Sequence, residues 1–99
     1  MTNMLQKAAG MAGMTDQVIA TDFLISAKSA VRNITFAITE SATPEVREIL
    51  RAQLHDAIDT HEQISQYMMK KGYYYPSDLD EQLKVEVKAS KAALKLADD

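Results

Sequence analysis

The chain has no cysteine and no tryptophan, and only 3 glycines and 2 prolines in 99 residues. Without cysteine there can be no disulfide, no thiolate zinc site and no cysteine nucleophile. So little glycine and proline supplies too few turns for an all-β domain. A basic excess is missing too. The formal net charge is −3, whereas nonspecific nucleic-acid binding needs a cationic surface to displace counterions. No apolar run approaches the roughly 20 residues that span a bilayer. Residues 1–14, with Lys7, are not followed by the sustained apolar segment of a signal peptide. The remainder, 46% hydrophobic and 25% charged, reads as one small globular domain near the lower limit of a self-sufficient core, made in the cytoplasm.

What the sequence does have is helical periodicity. In residues 1–15, Gly10 and Gly13 break the pattern and predict a flexible N-terminal arm. Met4, Leu5, Met11 and Met14 form an apolar strip on it. The domain proper is 16–99. Thr15 or Asp16 caps a first helix running to about Ser41, whose apolar positions Ile19, Phe23, Ala27, Ala30, Ile34, Ala37 and Ile38 recur at steps of three and four. Leu24, Val31 and Ile38 make a second row, and Asp22, Ser29, Asn33 and Glu40 lie opposite. Thr43-Pro44-Glu45 opens a second helix: Thr43 caps, Pro44 fits the first helical position, and Glu45 complements the positive helix end. Leu50, Leu54, Ala57, His61, Ile64 and Met68 form its stripe, broadened by Ile49 and Ile58. Lys70 and Lys71 suit its end, and Gly72 suits the left-handed position beyond it.

A third helix begins near Ser77 or Asp78 and ends near Ala97, with Leu79, Leu83, Val87, Leu94 and Ala97 predicted inward and Lys84, Lys88, Lys91 and Lys95 on a solvated face. The short link between the first two helices predicts an antiparallel hairpin, each arm about 35–42 Å long. Two wide apolar faces and one shorter helix leave area uncovered. The expected architecture is therefore all-α: a helical hairpin plus a shorter C-terminal helix, completed as a four-helix-type bundle by homodimerisation, or else a monomeric three-helix bundle.

Chemistry-bearing constellations are missing. A bundle di-metal site needs Glu-x-x-His pairs, but the residue three before His61 is Ile58 and that before His55 is Ala52. Ser26, Ser29, Ser41 and Ser65 lack a glycine-flanked elbow, and there is no phosphate-binding glycine loop. No catalytic, metal or cofactor residue is assigned, and the chain is read as a non-enzyme. His61, within the apolar stripe, is either a hydrogen-bonded structural histidine or a pH-responsive contact at a dimer seam. Tyr73, Tyr74 and Tyr75 pack over the helix end or form a contact patch, open also to cross-linking, as Lys and Gln side chains would be.

Ile38-Thr39-Glu40, Thr43-Pro44-Glu45-Val46-Arg47, Leu50, Leu54, His61-Glu62-Gln63-Ile64, Tyr67-Met68 and Lys71-Gly72-Tyr73-Tyr74-Tyr75-Pro76 follow one another in this order. Over residues 16–97 the chain resembles the spore coat protein F family. Many members carry a tryptophan in the glycine-aromatic-aromatic segment, where this chain has Tyr73 and Tyr74. The resemblance implies a ferritin-like helical fold, a structural role in the spore coat or forespore, other spore coat proteins as partners, and no catalytic residues to carry over. The alternatives are a vestigial ferritin-like protein that binds metal or a small ligand, and a soluble adaptor module.

Overall fold

The computed structural model describes residues 2–98; the side chains of 2, 3, 6–13 and 98 lie outside the description. The chain is all-α: α1 spans Thr2–Thr39, α2 Pro44–Lys70 and α3 Leu79–Asp98. No strand occurs among the described residues.

The expected start of the first helix at Thr15 or Asp16 is corrected, because α1 already begins at Thr2 and runs through Gly10 and Gly13. Each glycine costs a helix about 1 kcal/mol relative to alanine but keeps its N–H. With no proline before residue 44, nothing removes a backbone donor. Of the apolar strip expected there, Met4 and Leu5 are exposed, Met14 is half-buried, and Met11 lies outside the described residues.

The link between α1 and α2 is a run of closed bonds. Glu40 N–H reaches Phe36 O at 3.2 Å and Ser41 N–H reaches Ile38 O at 3.2 Å. From α2, Arg47 Nη1 donates to Ile38 O at 2.7 Å and to Ser41 O at 2.9 Å. The half-buried guanidinium thus closes Ser41 O and gives Ile38 O a second donor beside Ser41 N–H, both through one nitrogen. At the start of α2, Arg47 N–H bonds Thr43 O at 3.0 Å, which puts Pro44 in the first turn, where its missing donor is not needed.

The chain comprises two compact units, one of Asp22–Tyr67 and one of Met1–Thr21 with Met68–Asp99. In the first, the α1 and α2 segments form an antiparallel hairpin, with Leu24 and Ala27 buried and Leu50, Leu54, Ala57, His61 and Ile64 half-buried. In the second, Ala20 and Met68 are buried, and α3 turns Val85, Ala89, Ala92 and Leu96 inward as half-buried positions.

Two faces differ from the sequence expectation. On α1 the inward row is Ala20, Leu24, Ala27, Val31, Ile34 and Ile38, while Ile19 is exposed and Phe23 is 61% exposed. On α3 the expected inward row is outward: Leu79 is 72% exposed and Leu94 65%, with Leu83 and Val87 also exposed. Both helices carry two apolar rows. Asp16, on the same face of α1 as Ala20 and Leu24, accepts from Tyr73 Oη at 2.6 Å. Gln82, on the same face of α3 as Val85 and Ala89, accepts from Tyr75 N–H through Oε1 at 2.7 Å. Each bond lies on the inward side of its helix, and the other apolar row lies outside.

Candidate contact site around the end of the second helix

The stretch 68–82 is built on a glycine cap. Gly72 has φ +74°, a left-handed conformation that L side chains resist. Its N–H bonds Met69 O at 3.1 Å, and Tyr73 N–H bonds Met68 O at 2.8 Å. Two orphan carbonyls are thereby closed in the paired pattern of a Schellman ending. Met68, at 2% exposure the most buried side chain described, is the residue against which such an ending folds its first aromatic.

The three tyrosines diverge from this cap. Tyr73 carries its hydroxyl to Asp16 of α1, a hydrogen bond spanning 57 positions of sequence. Asp16 is thus not a helix cap but an acceptor inside α1. Tyr75 curls back: its Oη lies 3.2 Å from where a Cβ on Gly72 would sit. Tyr75, Pro76, Ser77 and Asp78 then form a turn closed by Asp78 N–H to Tyr75 O at 3.3 Å. Asp78 caps α3 through Oδ1, which accepts from Glu81 N–H at 3.1 Å. All three tyrosines are half-buried. The arrangement therefore offers partial aromatic faces rather than a free aromatic arm.

The other sequence-selected residues lie in the hairpin unit. Thr43 and Pro44 start α2, and His61 lines a surface hollow of about 200 Å³ with Lys28, Val31, Arg32 and Ile58. His55 pairs instead with Asp59 on the exposed side, Nδ1 to Oδ2 3.2 Å. Among the described residues no group of three or more His, Asp or Glu is placed to hold a metal ion. Arg47 and Gln82 were not legible as structural residues from the sequence: both read as solvated charge or amide on a helix surface. The available signal was their position, one turn into a helix that follows a short link.

A helix-ending glycine, an aromatic triplet and a capped third helix stand in one defined order. The Coat F domain matches residues 15–78. The chain belongs to the Coat F domain family. It is 49% identical over 96 residues to "Spore coat protein F-like protein YraD" of Bacillus subtilis (strain 168), covering 97% of each chain. It is 32% identical over 72 residues to "Spore coat protein F-like protein YhcQ" of the same organism, covering 73% of this chain and 33% of that protein. No solved structure matches it. The Coat F match ends at Asp78, the cap of α3, while the similarity to the YraD protein, covering 97% of each chain, extends into α3. No helix among the described residues is long and apolar enough to cross a membrane.

Proposed function

We propose that this Coat F chain is a non-catalytic structural component of the bacterial spore coat, or a forespore relative of one. In this reading it assembles with copies of itself and with other coat proteins through helix packing and the aromatic segment. The observation that carries the proposal is the 49% identity to a spore coat protein F-like protein across 97% of both chains. The small core supports it: the buried apolar side chains described are Ala20, Leu24, Ala27 and Met68. A core of this size is marginal for an isolated domain, and partner contact adds the missing burial. Half-buried Tyr73, Tyr74 and Tyr75 supply large contact area with polar tips.

The test is location. A fluorescent fusion expressed in sporulating cells should collect on the forespore surface and remain with purified coats after detergent extraction. A fusion that stays diffuse in the mother cell throughout sporulation would favour the adaptor reading. Serine substitution at Tyr74 should lower coat retention more than it lowers melting temperature.

A second reading, ligand binding between helices, draws on the hollow at Lys28, Arg32 and His61, where three nitrogen-bearing groups surround an apolar floor of Val31 and Ile58. Equilibrium dialysis against small organic anions checks it, and stoichiometric metal in the purified protein would support the ferritin-like alternative.

A further inference from the structure

The outward side of α3 is not an ordinary solvated helix face. Leu79, Leu83, Val87 and Leu94 recur along it at helical spacing and are all exposed. Beside them runs a second row, Lys84, Lys88, Lys91 and Lys95, also exposed. Between the two rows lies an open groove of about 450 Å³ lined by Leu83, Lys84, Val87, Lys88 and Lys91. Of the four lysines, Lys84 has an intrahelical partner, Glu81, at 3.1 Å. An apolar row flanked by like charge is suited to an amphipathic helix of the opposite charge.

The chain itself carries such a surface. From 44 to 67, α2 holds Glu45, Glu48, Asp56, Asp59 and Glu62, all exposed. Its two basic residues there are Arg47, drawn back onto the α1 terminus, and Arg51, off the acidic side. At 100° per residue Glu45, Glu48, Asp56 and Asp59 share the side opposite Leu54 and His61, with Ala52 between them and exposed Ile49 at the border.

We infer that the lysine-flanked apolar row of α3 in one copy docks on the acidic outward row of α2 in a second copy. The two patches are unlike and belong to different compact units, so the contact is heterologous. Each copy keeps one patch unused after the first contact, and association continues as a chain of copies or closes as a ring. The inference rests on the reading of this protein as an assembling structural component. It names the surfaces and the partner, and it assigns a purpose to a helix that the Coat F match does not include.

Charge-swap complementation tests it on the full chain. Solution mass measured by sedimentation should rise with concentration at low salt and fall as salt screens the contact. The variant Lys84→Glu/Lys88→Glu/Lys91→Glu should associate more than about tenfold more weakly, as should Glu48→Lys/Asp56→Lys/Asp59→Lys. An equimolar mixture of the two should recover wild-type association, because each variant restores the other's contact. Circular dichroism confirms that each variant remains helical. Leu83→Ser/Val87→Ser should weaken association without altering its salt dependence. A wild-type mass that stays monomeric at every concentration, or a mixture no larger than its components, overturns the inference. So does loss of binding to anionic lipid vesicles in the lysine variant with self-association unchanged, which would assign the face to a lipid surface. A monomeric protein that still reaches the coat removes this contact and leaves the coat reading standing; self-association without coat location does the reverse.

Discussion

Gly72 is the residue at which backbone geometry and aromatic packing meet. Its φ of +74° and the hydroxyl 3.2 Å from a would-be Cβ oppose any side chain for two separate reasons. Gly72→Ala should destabilise by about 1 kcal/mol, a drop of about 4–8 °C in melting temperature for a chain of this size; Gly72→Val should cost more. Placing Gly72→Ala in a Tyr75→Phe background should recover the steric part and leave the conformational part, so a full recovery would locate the whole cost in the hydroxyl. Tyr73→Phe deletes the long-range bond to Asp16 and should cost about 1–2 kcal/mol. A similar loss is expected for Asp16→Ala, which removes the acceptor, and the double variant should be markedly less destabilised than the sum of the two, as measured by a denaturant double-mutant cycle.

At the scale of elements, the hairpin turn depends on Arg47. Its Nη1 serves Ile38 O and Ser41 O at once, so Arg47→Met should cost about 1–3 kcal/mol by removing the charged donor from both carbonyls. Arg47→Lys should restore part of this, because an ammonium keeps the charge and the donors but not the guanidinium's shape; thermal melts of the two variants check the order. The helices themselves were legible in the sequence. Thr43-Pro44 and Lys70-Lys71-Gly72 punctuate the chain with residues that have strong positional preferences, and the stripe Leu50, Leu54, Ala57, His61, Ile64 and Met68 is turned inward. Which row of α1 and of α3 faces inward was not legible. Phe23 and Leu83 are larger and more apolar than the alanines that displaced them. The inward sides also carry Asp16 and Gln82, whose partners lie 57 and 7 positions away. Periodicity registers that a face is apolar, but where a helix has two such faces it does not say which one turns inward. Likewise Gly10 and Gly13 read as breaks in the helical pattern, whereas α1 runs through both, because glycine weakens a helix without removing a backbone donor.

At the scale of the whole molecule, the few buried apolar side chains among the described residues, together with exposed Phe23, Ile25 and Phe36, predict a stability that depends on what the chain is bound to. Melting temperature should rise with protein concentration, since any contact made only by the folded form adds to its stability; a melt independent of concentration across the range where mass increases would separate assembly from folding. The arrangement of the tyrosines has a further use. All 4 tyrosines of the chain fall between positions 67 and 75, and no tryptophan competes with them. Intrinsic ultraviolet emission from this protein therefore comes from one short neighbourhood, in which one phenol is held against a carboxylate that can quench it. The chain carries its own spectroscopic reporter at the glycine turn: a change in emission signals an event at that turn, while events along the rest of the three helices pass unseen unless they reach it.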